Sequence, residues 1–423
     1  MAATITTADK ILKYVYTSKA LQNAVYKDNP LLAMMPKAGG FDGRSLIHAI
    51  TYGNSNARNA QFAVAQSLAA VNGAVGNGVG VGAATDSGYN RDVNFTVTRQ
   101  KNYAMWSIEN ELVLAASGKN PGAFVSSITQ LLDGTLQTLN NNFGLDVYGD
   151  ATGALGQITN VASLVFTVGE AVTQFEVGMA LVASNGSTKT AAIRGTTTAT
   201  PMIVTAVDRS AGKITVDANT DAAAANDWLY IAGDRSTSAI TAYSTRSKIA
   251  GLDAWNPVTA PAGGDSFFGV DRSVDVTRLS GLRLDISALG PEEGYITALA
   301  AQAREGGSPG HIFTSFTDEK NIKLALGGRV DAEYSQVGDV GFESIRLRGP
   351  KGTVRIFADR SAPVGYARLL QMDTWELKHL GDFVNKESGA REYRADRVEG
   401  RMAFYGNMLC YKPSANMVVT LPT

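Results

Sequence analysis

Three histidines, a single cysteine and one adjacent pair of glutamates are the residues from which this chain could build a reactive centre. His48, His311 and His379 are far apart in sequence, and none has a second His or Cys at the short spacings that place two ligands on one face of an element. Cys410 can neither close an internal disulfide nor supply a thiolate-rich zinc cage. Flanked by Leu409 and Tyr411, it reads as a small buried hydrophobe. Glu292 and Glu293 follow Pro291, and a helix start accounts for them through its partial positive charge. The run VGNGVGVG has closely spaced glycines, but a dinucleotide loop also needs a following helix and an acidic residue about twenty positions on. GxxxxGK[ST], HExxH and CxxC are absent, and Asn185-Gly186-Ser187 reads as a turn rather than a glycosylation site. The expectation is a non-enzymatic protein with no cofactor and no metal ligands.

The composition sets the elements that such a chain can form. Its 423 residues are 44% hydrophobic and 18% charged, which suits folded domains and excludes a disordered tail. No apolar run approaches the ~20 residues of a membrane span. A formal charge of -1 gives no general basic field for nucleic acid or anionic membranes. The opening MAATITTADK carries Asp9 and Lys10 with no apolar segment after them, so no secretory leader is expected and a reducing bacterial cytoplasm is the expected place of folding. Glycine, at 44 of 423, exceeds the usual ~7% and favours a mixed α+β architecture over a helical bundle.

Six regions follow from the patterning. Residues 1–45 form an arm with an amphipathic segment at Ile11, Leu12, Val15, Leu21 and Val25, then a break at Asn29-Pro30 and the run LLAMMPKAGG. That arm either packs on its own domain or lies on a neighbouring subunit. Residues 46–105 read as an extended β-hairpin, strand-like at both ends and without a charged residue from Asn59 to Thr85. An isolated hairpin is marginal in water, so this finger needs a partner surface. Residues 106–150 hold the clearest helix. Phe124, Ile128, Leu131, Leu132, Leu136, Leu139, Phe143 and Val147 recur at three- and four-residue steps over about 36 Å. Residues 151–240 show short strands between turns and read as an inserted β-barrel or sandwich. Residues 241–385 alternate strands and helices as an α/β lobe, with a helix capped at Thr317-Asp318-Glu319. Residues 386–423 are expected to return to the long helix and close its domain.

In that order, the parts resemble the major capsid proteins of tailed bacteriophages. The resemblance rests on KALQNAVYKDNPLLAMMPK in the arm, the Gly-Ala hairpin at 53–90, GAFVSSITQLLDGTLQTLNNNFGLDVYGD in the helix and RMAFYGNMLCYKPSANMVVTLP at the end. It implies an HK97-like capsid fold of the α+β class. Residues 1–45 would be the N-terminal arm, 46–105 the extended loop, 106–150 with 386–423 the peripheral domain, and 241–385 the axial domain with connecting peripheral strands. The small β domain at 151–240 would be an insertion. The implied function is self-assembly into an icosahedral head around double-stranded DNA, in a virion assembled in the host bacterial cytoplasm. Implied partners are further copies in hexamers and pentamers, a separate scaffolding protein, a portal protein, packaged DNA by weak non-specific contact and a decoration protein, with no membrane. Subunit contacts are expected at Leu21, Val25, Tyr26, Arg58, Phe62, Val64 and Tyr89. Some members crosslink a lysine to an asparagine, and Lys101 or Lys119 would be arbitrary choices for it. The alternative is a glycan- or protein-binding virion appendage, suggested by the 151–240 insertion.

Overall fold

The computed structural model describes residues 29–53, 91–109, 121–195, 201–219, 222–326, 332–337, 340–382, 384–391 and 396–422. Among these, the longest element is a 28-residue helix, Pro121–Tyr148. Leu136, Leu139, Phe143 and Val147 are buried along one side of it, as the spacing requires. They face a sheet whose strand Gln100–Glu109 pairs antiparallel along its whole length with Arg397–Cys410. Phe143 meets Phe404 edge to face at 4.7 Å, and Asn102 donates a 2.9 Å hydrogen bond to the Asp146 carboxylate. Two glycines let the layers approach. At Gly144 a Cβ would overlap the side chains of Asn29 and Ser361, and at Gly400 it would enter the Trp106 ring.

The same sheet takes in Trp375–His379, Asn385–Arg391 and the short strand Lys37–Ala38. That last strand pairs parallel with Trp375–His379, and Leu31, Leu32, Met35 and Phe41 are fully buried around it. The arm therefore differs from the implied layout over residues 29–45. Four large apolar side chains in LLAMMPKAGGF bury in the chain's own core, the first of the two alternatives left open for the arm. Residues 1–28 lie outside the described residues.

The hairpin also differs. Ser45–Gly53 pairs with Arg91–Thr98 as a two-stranded ribbon, but the descending limb ends at Thr98. There Arg99 turns back, its amide donating to the Arg44 carbonyl, and residues 100–109 enter the sheet under the long helix. Ala104, Trp106 and Ile108 fix that register by facing the helix-side core. The tip, 54–90, lies outside the described residues.

Residues 156–231 form a separate seven-stranded antiparallel sheet around their own core of Phe166, Phe175, Leu181, Met202, Ile214 and Leu229. A mixed seven-stranded sheet makes up the α/β lobe, with strands in the order Leu282–Asp285, Met417–Thr420, Tyr366–Leu370, His311–Thr314, Gly352–Ala358, Val340–Gly349 and Ala332–Val337. The helix Pro291–Arg304 packs on it through Tyr295, Ala298 and Leu299. The helix Phe316–Leu326 is capped two residues earlier than expected, by Ser315, whose hydroxyl oxygen accepts from the Asp318 amide. The C-terminus divides between the two bodies. Arg397–Cys410 pairs in the helix-bearing sheet, whereas Met417–Thr420 crosses into the lobe and sits between two of its strands. Met417, Val418 and Val419 are all buried, the continuous apolar run of a strand covered on both faces.

Candidate subunit-contact surface

All seven side chains expected to make subunit contacts, Leu21, Val25, Tyr26, Arg58, Phe62, Val64 and Tyr89, lie outside the described residues, as does Lys119. What the structure describes is the two-stranded ribbon that flanks residues 54–90. It turns His48, Ile50, Phe95 and Val97 inward. Phe95 packs on Trp255 and Phe267 at centroid distances of 5.4 and 5.9 Å, and the Thr96 amide donates to the Phe268 carbonyl. The ribbon is thus anchored on one face only.

The outward faces carry apolar side chains where water-facing strands ordinarily carry polar ones. Ile47 is 71% exposed on the ribbon, and Met105 is 65% exposed on the sheet beneath the long helix. Along Gln100–Glu109, burial alternates residue by residue, placing Lys101, Tyr103, Met105, Ser107 and Glu109 on the side away from the helix. Tyr103 meets Tyr405 edge to face at 5.9 Å, and Arg397 pairs with Glu399 at 2.7 Å on the neighbouring strand. This is a flat β face with a central aromatic-methionine patch and a charged border, the composition of a contact surface rather than of a reaction centre. The alternation of QKNYAMWSIE signalled it in the sequence, because Tyr103 and Met105 fall on the face opposite Trp106 and Ile108.

The chemistry-bearing residues are dispersed. His48 sits under the ribbon, its Nε2 3.1 Å from the Cys410 carbonyl and its ring on Tyr411 at 4.7 Å; burial holds its pKa below the usual imidazole value. His311 stacks beside Phe313 and Phe357 in the lobe and is likewise lowered by burial, whereas His379 contacts the Gly381 carbonyl through Nδ1. Complete burial pushes the Cys410 thiol well above its ordinary value. Tyr411 is pushed up to about 12, by burial and then by its hydrogen bond to Glu376. Among the described residues, no group of three or more His, Cys, Asp or Glu side chains is placed to hold a metal ion. No helix among them is long and apolar enough to cross a membrane.

Charge instead concentrates where the inserted sheet meets the other two bodies. Asp253 pairs with Arg368 of the lobe at 3.0 Å and with Lys189 of the insertion at 3.3 Å. Burial alone would raise the Asp253 pKa, but the two cations outweigh it and hold the carboxyl below its usual value. Arg360 donates to the Asn141 side chain on the long helix and to the Thr173 carbonyl of the insertion. Thr317 donates to Glu170 at 3.0 Å, and Lys248 pairs with Asp234 at 2.8 Å. These contacts surround a cleft of about 570 Å³ in which Asp146 lies buried, its pKa raised to about 6 by desolvation. Anions and cations alternate around the cleft, so its wall favours neither sign of ligand.

No protein-family model matches the chain, and no curated protein matches it. Among solved structures, the chain is similar to the capsid asymmetric unit of cyanophage A-1(L), with 10% sequence identity over 92% of each chain and a TM-score of 0.47. It is also similar to the holo-SrpI encapsulin complex from Synechococcus elongatus, at 8% identity over 92% of this chain and 86% of that one, with a TM-score of 0.44. A third is the capsid of an empty GTA particle, at 7% identity over 93% of this chain and 89% of that one, with a TM-score of 0.42.

Proposed function

We propose that this chain is the major shell protein of a tailed bacteriophage, a non-enzymatic subunit that assembles with copies of itself into an icosahedral head around double-stranded DNA. The observation that carries the reading is the outward apolar side chains, Ile47 on the ribbon and Tyr103 and Met105 on the strand after it, flanking a segment with no charged residue from Asn59 to Thr85. Apolar area left on a flat β face is removed from water when another subunit covers it, at roughly 25 cal/mol per Å². Near-neutrality of the whole chain suits a shell wall, since a strongly basic lumen would hold packaged DNA through counterion release.

In this reading the long helix and its sheet form the peripheral body, and the mixed sheet forms the axial lobe. The inserted sheet braces the two, held to the lobe through Lys189–Asp253–Arg368 and to the helix through Arg360. Scaffolding, portal and decoration proteins are the partners such a subunit would meet, in a virion built in the host cytoplasm. A single charge on the outward face tests the reading. Met105→Glu leaves the helix-side core untouched, so the variant is expected to keep the wild-type circular dichroism and melting temperature within about 3 °C while losing at least tenfold in assembled particles by negative-stain microscopy. Assembly at the wild-type level would contradict the assignment of this face.

A further inference from the structure

The cleft of about 570 Å³ where the three bodies meet has the volume of a formed binding site, roughly 300–1,000 Å³. Its charged side chains are already matched. Lys189 and Arg368 pair with Asp253, Lys248 with Asp234 and Arg246 with Asp150, while Asp146 accepts from Asn102 and Glu170 from Thr317. Arg360 donates to Asn141 and to the Thr173 carbonyl. A charged ligand would have to break into these contacts. What the wall leaves open is apolar: Ala171 and Trp228 of the insertion, Val258 after the short helix Leu252–Trp255, and Pro363, Val364 and Tyr366 of the lobe all line the cleft and are partly or fully exposed. Apolar surface that two bodies contribute to one concave site is removed from water by an apolar occupant.

The described chain begins at Asn29, beside this cleft. The Asn29 side-chain amide donates to the Asn140 carbonyl of the long helix at 3.4 Å, and the Leu31 amide donates to the Asp359 carboxylate of the lobe at 3.5 Å. A Cβ at Gly144 would meet both Asn29 and Ser361, and Ser361 lines the cleft. The segment before Asn29 therefore starts at the cleft wall. At no more than ~3.5 Å per residue, Val25 lies within about 14 Å of Asn29 and Leu21 within about 28 Å. Residues 20–26, ALQNAVY, carry no charge and include Leu21, Val25 and Tyr26. An uncharged segment suits a wall whose charges are matched, and its three apolar side chains suit the open apolar lining. We infer that Leu21, Val25 and Tyr26 occupy the cleft of their own chain, docking the arm against the insertion and the lobe. The tether favours the same chain over a second copy, because a short connection holds a segment at an effective concentration on the order of millimolar. An arm docked in this way is withheld from neighbouring subunits until it is displaced. The inference goes beyond the shell reading and does not depend on it.

Cysteine pairs in the full-length chain test the docking. Val25→Cys is combined with Val364→Cys on the lobe wall, and Leu21→Cys with Thr173→Cys on the insertion wall, where the Thr173 carbonyl still serves Arg360. Cys410 is fully buried and stays in place. Ordinary and isotope-labelled chains are mixed in equal amounts at a dilution where ultracentrifugation shows monomers, then gently oxidised and digested for mass spectrometry. Circular dichroism verifies that each variant folds as wild type does. At least one pair is expected to link in more than half of the chains, with both halves of every linked peptide carrying the same label. Val25→Cys with Val274→Cys, which is exposed but outside the cleft, is expected to link at least tenfold less. Adding Leu21→Asp and Tyr26→Asp to the Val25–Val364 pair is expected to lower its yield at least fivefold. Linked peptides in which half combine the two labels would show that the arm of a second copy fills the cleft. Links no more frequent than in the Val274 control would show that the arm lies elsewhere. Either result overturns the inference and leaves the shell reading standing, because particle formation does not enter the measurement.

Discussion

Two buried carboxyl groups favour the folded state at acid pH over neutral pH. Asp146 and Asp359 are each raised to about 6, chiefly by desolvation, against an ordinary value of 3.8. The native state then holds protons that the unfolded chain has released across the window between those values. Stability from these groups is therefore complete below about pH 4 and is lost as pH rises through about 6. Asp253 acts with the opposite sign, because its lowered pKa makes its contribution present at neutral pH and lost on acidification. Asp146→Asn keeps the acceptor for Asn102 and removes the ionisation, while Lys248 retains Asp234. Urea unfolding at a series of pH values is expected to show a flatter dependence between pH 4 and 6 for this variant. At pH 8 it should show a gain of about 1–2 kcal/mol, part of the ~1.4 kcal/mol per unit that a shift represents. A steeper dependence, or a loss at pH 8, would contradict the assignment of Asp146 as a buried carboxyl held against its ionised form.

Among the elements, the inserted sheet is the part whose attachment can be tested separately. It has its own core and meets the rest through polar contacts, of which Asp253 is the centre, neutralising Lys189 and Arg368 together. Asp253→Asn leaves both cations without their counter-charge in a poorly solvated site and is expected to cost about 2–4 kcal/mol. Hydrogen exchange should rise first in residues 232–250, which lead out of the insertion, and last in His311–Thr314 at the centre of the lobe. Uniform exchange across the chain would show that the insertion is not separately docked. The elements themselves were readable where one physical signal dominated. The heptad-like spacing of Leu136, Leu139, Phe143 and Val147 gave the long helix, and Pro291-Glu292-Glu293 with the glycines after Arg304 gave a lobe helix its ends. Three features were not readable. Whether LLAMMPK packs on self or neighbour depends on which surface Leu31 and Leu32 meet, not on their periodicity. The split of the hairpin at Arg99 and the crossing of Met417–Thr420 into the lobe are pairing choices between distant strands, and strand alternation is indifferent to partner. The outward patch at Tyr103 and Met105 was present in the alternation of its strand.

For the whole molecule, three bodies with separate cores are tied by one long helix and by a C-terminal segment that visits two of them. The most direct measurement is electron cryomicroscopy of the purified full-length chain at high concentration, alone and with a scaffolding protein. Closed shells or capsomers are expected, with the outward face of Gln100–Glu109 and the ribbon base both covered by adjacent copies. A chain that stays monomeric under both conditions, or particles in which Ile47, Tyr103 and Met105 all face solvent, would contradict the account.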